Sequence, residues 1–82
     1  MKYKDKIEKL IHSTIGTAEP INIDTELQNA GIDSLSFITL IVKIEDYFRI
    51  NFPDNKLSIS EAGTLRKLCT IIINIKNDEE KY

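Results

Sequence analysis

The chain has 82 residues, enough for one small domain and too few for an active site in a cleft between two. With 41% hydrophobic and 29% charged residues it is globular rather than disordered. The net charge of -2 is unevenly spread: residues 1–23 hold four basic groups against three acidic, residues 24–62 three against seven, and residues 63–82 four against three. The acidic middle offers no basic stripe for phosphates, so nucleic acid is excluded as a partner.

No run reaches the roughly 18 apolar residues of a membrane span, and Met1 to Lys6 leads into no signal-peptide core. A cytoplasmic protein is therefore expected. The single cysteine, Cys69, excludes an internal disulfide and lies in an apolar-periodic segment, where a buried inert thiol is the expectation. One Cys and one His are too few soft ligands for a zinc site, and no metal centre is expected.

In chain order, Tyr3, Ile7, Leu10, Ile11 and Thr14 recur at helical spacing among charged residues, which predicts an amphipathic helix over 3–15 closed by Gly16. From Thr17 to Asp33 the pattern dissolves into Pro20, Asn22, Asp24, Asn29 and Gly31, a loop long enough to suggest function. Its isolated apolar residues Ile21, Ile23, Leu27 and Ile32 are expected to pin it across the helices. Leu35 to Arg49 holds neither Pro nor Gly and reads as the longest helix, ending ahead of Asn51-Phe52-Pro53-Asp54.

Ser58 to Ala62 predicts one short helical turn ended by Gly63. Thr64 then reads as the N-cap of a last helix in which Leu65, Leu68, Cys69, Ile72 and Ile75 share a face. Residues 77–82 are polar and are expected to fray. The fold class is all-α: a four-helix bundle of three main helices and one short one, with a long loop between helices 1 and 2, forming a single domain over 1–82.

At about 100° per residue, Phe37, Leu40, Ile41, Ile44 and Phe48 fall in one arc and form the core stripe of the second long helix. Leu35, Ile38 and Val42 make a second, narrower apolar stripe, with Glu45 and Asp46 at its distal end. Scattered exposed apolar residues are ordinary. A bundle this small is hard pressed to bury a helix on two sides, however, so the second stripe reads as a partner-docking surface. Burying each such side chain in a partner contributes about 1.5–3 kcal/mol before association costs.

Gly31-Ile32-Asp33-Ser34-Leu35 stands at the head of this helix. An Asp or Ser in that place is ordinarily an N-cap. Here the serine also follows a long loop, and the helix amino end offers free N–H groups and a positive dipole end that favour a phosphate on its oxygen.

With the apolar-acidic helix and Phe52-Pro53-Asp54 after it, this segment resembles the acyl and peptidyl carrier proteins, and the resemblance spans nearly the whole chain. It implies a four-helix bundle with a covalent 4'-phosphopantetheine arm on Ser34, taken from coenzyme A by a phosphopantetheinyl transferase that Asp33 assists. It further implies that Leu35, Ile38 and Val42, flanked by Glu45 and Asp46, meet partner enzymes. Cargo would travel as an acyl, aminoacyl or peptidyl thioester, and loading, condensing or transferring enzymes would perform the chemistry, so the chain itself is not an enzyme. A monomer is expected.

Carriers of bacterial fatty-acid synthesis are usually more acidic along this helix than Ser36, Thr39 and Lys43 allow here. The stretch from Ser58 to Leu65 looks more like carriers of nonribosomal peptide, polyketide or D-alanyl transfer systems, so a specialised pathway is the expectation.

Three rival readings concern the same residues. His12, Asp24 or Asp33, and Ser34 supply the letters of a catalytic triad, without a Gly-x-Ser-x-Gly elbow and with His12 expected at the surface. Asp24 to Asn29 resembles a calcium loop but lacks glycine at its sixth position. A helical adaptor in which Ser34 is only an N-cap is the strongest rival.

Overall fold

A computed structural model describes residues 2–79, the last of these in backbone only. Four α-helices are present: α1 (Lys4–Ile15), α2 (Ser34–Phe48), α3 (Ile59–Ala62) and α4 (Leu65–Glu79). Among the described residues there is no strand. Helix α1 packs against both α2 and α4, and the short α3 lies against α4.

The apolar periodicities identify the core. Ile7 and Ile11 of α1, the stripe Phe37, Leu40, Ile41, Ile44 and Phe48 of α2, and Leu65, Leu68, Cys69 and Ile72 of α4 are all buried together. Ile75 is only partly buried against them. The long loop is pinned as its apolar residues foretell, with Ile21, Leu27 and Ile32 buried and Ile23 partly so. Cys69 is buried and unpaired, and burial pushes its thiol pKa up, as expected of an inert core residue.

Several boundaries differ from the sequence expectation. Tyr3 lies outside α1, in the left-handed region at φ 70°, though it still packs on the core through an edge contact with Phe48. Gly16 closes α1 at φ 72°. Arg49 also falls outside its helix: it adopts φ 58°, and its N–H donates to the Glu45 carbonyl, so a left-handed cap stops α2 before Pro53 has any bearing.

The loop is not structureless. Leu27–Ala30 forms a 3-10 turn, and Leu27 N–H donates to the Gly63 carbonyl at 2.8 Å, which holds that turn against the α3–α4 junction. A second 3-10 turn, Asp54–Lys56, follows Pro53. Residues 77–79, expected to fray, continue α4, while 80–82 lie outside the described residues. The intrahelical ladder needs no apolar face to continue for one more turn, and the polar residues there are no helix breakers.

Candidate functional site

The amino end of α2 is built by two local devices. Gly31, at φ 108°, turns the chain out of the 3-10 segment, a conformation for which glycine alone carries no steric cost. The next residue, Ile32, is buried and its N–H donates to the Leu27 carbonyl at 2.9 Å, so the turn is anchored on both its backbone and its side chain. Asp33 follows in an extended conformation, and its Oδ1 accepts the Ser36 N–H at 2.8 Å.

That hydrogen bond makes Asp33 the N-cap and Ser34 the first helical residue. The Ser36 N–H and then the Ser36 hydroxyl, with smaller contributions from the Asp33 and Leu35 amides, hold the Asp33 carboxyl below its ordinary pKa, so it is ionised at neutral pH. Ser34 is exposed, and among the described residues no hydrogen bond engages its hydroxyl. The cap requirement is met by its neighbour. An oxygen left free at a helix amino end suits a phosphodiester, because the dipole and the remaining N–H groups favour the added negative charge.

The second apolar stripe of α2 is uncovered: Leu35 is 81% exposed, Ile38 49% and Val42 57%. It starts one residue after Ser34 and runs along the helix from there. Asp46 is exposed beside it. Glu45 is committed elsewhere, since its Oε2 accepts the Phe52 N–H at 2.8 Å and anchors the chain that leaves α2. Lys43, on the flank toward α1, donates to Ser13 Oγ at 3.1 Å.

The residues of the catalytic-triad reading do not converge. His12 is half-buried rather than at the surface, and its Nε2–H donates to the Glu19 carbonyl at 2.7 Å. Asp24 is bound by two nitrogens of Arg66, which hold its carboxyl below the usual carboxylate range. Neither group touches Ser34. The same Arg66 contact occupies the aspartate that would open a calcium loop.

Sequence reasoning missed a cleft of about 530 Å³ beside the amino end of α2. Ile15, Thr17, Pro20, Ile21, Thr25 and Asn29 line much of it, with Gly31 and Ser36 at its α2 side. These residues follow no periodicity, so no sequence pattern announces them.

The chain matches the phosphopantetheine attachment site family over residues 5–72, which include Ser34 and all of α2. It belongs to that family. It is also 43% identical, over 54 residues, to an acyl carrier protein homolog of Ureaplasma parvum serovar 3, an alignment that covers 66% of this chain and 70% of the relative. Members of the family carry covalently attached 4'-phosphopantetheine. When bound, this group supplies a thiol at the end of a long arm, on which cargo is held as a thioester. Within the matched range, the amino end of α2 offers an exposed hydroxyl on a capped helix end, beside an uncovered apolar stripe. Among the described residues no helix is long and apolar enough to cross a membrane.

Proposed function

We propose that Ser34 bears the arm and that the protein presents acyl, aminoacyl or peptidyl thioesters to partner enzymes of a specialised, nonribosomal peptide-like or polyketide-like pathway. One observation carries the attachment site: Asp33 caps α2, which leaves the Ser34 hydroxyl exposed and without a structural task. The adaptor reading, in which Ser34 serves as N-cap, has no support in that geometry. Asp33, an ionised carboxylate adjacent to the hydroxyl, assists the transferase and the magnesium ion that the transferase brings. Leu35, Ile38 and Val42 form the docking stripe, with Asp46 and the outer part of Glu45 as its acidic rim.

The character of α2 supports the specialised pathway. Its exposed stripe is apolar, with Thr39 and the partly buried Ser36 where an acidic carrier would hold charges, and of the two rim acids Glu45 is tied to Phe52. Partner choice then rests on apolar fit more than on charge. The chain works as a monomer in the cytoplasm and leaves bond making to its partners.

A second reading, a carrier of simple acyl groups, is favoured by the name of the relative from Ureaplasma parvum. Incubation with coenzyme A, magnesium and a phosphopantetheinyl transferase, followed by intact-mass measurement, tests the attachment. The wild type gains the mass of one arm and Ser34→Ala gains none. A folded Ser34→Ala that still gains it would sink the assignment. The arm-bearing protein is then offered to an adenylating enzyme with amino acid and ATP, and separately to an acyl-transferring enzyme. Aminoacyl loading supports the first reading, and exclusive acyl loading the second.

A further inference from the structure

The cleft beside α2 has a mixed apolar and polar lining. Ile15, Pro20, Ile21 and Ala30 contribute apolar lining, and Thr25, Asn29 and Ser36 contribute polar lining. The Ser36 hydroxyl is hydrogen-bonded to the Asp33 carboxylate, whereas among the described residues no hydrogen bond engages the side chains of Thr25 and Asn29, although each carries a donor and an acceptor. Of the other polar side chains that line the cleft, Thr14 Oγ1 donates to the Leu10 carbonyl, Thr17 Oγ1 accepts the Glu19 N–H and Asn22 Oδ1 accepts the Asp24 N–H, while Glu19 adds a carboxylate. The cleft therefore presents one unspent amide and one unspent hydroxyl among its apolar lining.

Its position matters as much as its lining. Gly31, three residues before Ser34, and Ser36, two residues after it, both border the cleft. Ser34 and Ser36 project from opposite sides of the first turn of α2, so a chain attached at Ser34 reaches the cleft by bending over the open helix end. A flexible chain is required for that path. Elements that hold the cleft open are fixed: the Ile21 N–H is bound by Glu8 Oε2, the Glu19 carbonyl by His12, and the Arg66 N–H donates to the Ile23 carbonyl.

We infer that this cleft is the resting site of the pantetheine arm between encounters with partner enzymes, an inference that rests on Ser34 as the attachment point. The chemistry of the two sides matches. The arm carries two secondary amides and a hydroxyl, which need partners once out of water, and a geminal dimethyl group that favours an apolar base. Asn29 can meet an amide with both its carbonyl and its NH2, the Thr25 hydroxyl can donate or accept, and the Ser36 oxygen, whose proton goes to Asp33, can accept. Resting there shields the arm without placing it in the core. The wall is polar and open, so an arm bound in it is released readily to a partner that docks on the stripe of α2.

Disulfide trapping tests the inference. Asn29→Cys places a thiol in the cleft wall, and Asn74→Cys, on the exposed face of α4, serves as control. Each variant is first converted with coenzyme A and a transferase and its mass recorded; no gain of mass would overturn the attachment at Ser34 itself. The converted proteins are then exposed to oxidised glutathione. The arm thiol and the new cysteine each lose a proton and together give up two electrons, forming one intramolecular disulfide while glutathione disulfide is reduced to two thiols.

The expected result is closure at least tenfold faster for Asn29→Cys than for Asn74→Cys, with the unconverted proteins showing no such product despite buried Cys69. In the converted wild type, the amide resonances of Thr25, Asn29 and Ser36 shift relative to the unconverted protein. Equal closure rates in a protein that carries the arm would overturn the cleft as its resting site and leave the attachment reading intact.

Discussion

Arg66, in the first turn of α4, grips Asp24 of the long loop through two contacts, Nε to Oδ1 at 2.6 Å and a second guanidinium nitrogen to Oδ2 at 3.0 Å. The Arg66 backbone N–H also donates to the Ile23 carbonyl at 2.9 Å, so side chain and main chain hold the loop at neighbouring points. Both side chains are largely exposed, and an exposed pair adds little to global stability. Its effect is local. Asp24→Asn or Arg66→Ala is expected to leave the melting temperature nearly unchanged and to speed hydrogen exchange in residues 22–26, with the difference from wild type shrinking at high salt.

Glu8 makes the corresponding contact from α1. Its Oε2 accepts the Ile21 N–H at 2.8 Å, Lys4 lies 3.5 Å from Oε1, and the first of these is the main reason its pKa falls below the ordinary 4.5. The folded protein then binds this proton less readily than the unfolded chain. Glu8 contributes stability that is present above about pH 4.5 and lost as pH falls through the lower, folded value. Denaturant titrations should show Glu8→Gln less stable than wild type at pH 7, with the gap closing toward pH 3. A gap independent of pH would contradict this account.

Gly63 has an ordinary φ of -87°, yet it is the glycine whose replacement the packing opposes. A Cβ at this position would collide with the backbone carbonyl of Ile59, one turn earlier, and backbone cannot move aside as a long side chain can. The Gly63 carbonyl also accepts from Leu27, so any shift propagates to the 3-10 turn. Gly63→Ala should cost about 1–3 kcal/mol, the range of overpacking. Leu40→Ala, which empties a fully buried position in the core stripe of α2, should cost about 2–5 kcal/mol. Equilibrium unfolding measures both.

Val42 and Ile38 project from the same helix as Leu40 but remain about half exposed. A charge there meets water in the free protein, so Val42→Asp should change folding stability by no more than about 0.5 kcal/mol. Binding of a partner enzyme to the arm-bearing protein should weaken roughly tenfold or more, because the aspartate would be desolvated in the complex. Unchanged affinity in a folded variant would remove the stripe from the docking surface.

The helices were legible because burial repeats with the helical period. Phe37, Leu40, Ile41, Ile44 and Phe48 fall on one side of α2 by arithmetic alone, and the same five are buried. Leu35, Ile38 and Val42 fall on the other and are exposed. The proposed attachment site rests on something different, since Asp33-Ser34-Leu35 at a helix head is a local motif that family resemblance makes specific. Helix ends were less so. Tyr3 and Arg49 each continue the pattern, but each adopts a left-handed conformation, which residue type does not announce in a Tyr or an Arg.

By itself, then, the sequence determined which helix faces turn inward, that the fold is all-α, and that a serine stands at the head of a helix with two apolar faces. Those properties are periodic or local. Only the tertiary structure decided that Asp33 rather than Ser34 serves as the cap, that Glu45 is spent on Phe52, and that Glu8, His12 and Arg66 bind the loop at Ile21, Glu19, Ile23 and Asp24. Each of the loop contacts joins a side chain or N–H on a helix to a loop residue 7 to 43 positions away, with no repeating pattern to betray it. The cleft those contacts frame exists only once the chain has folded.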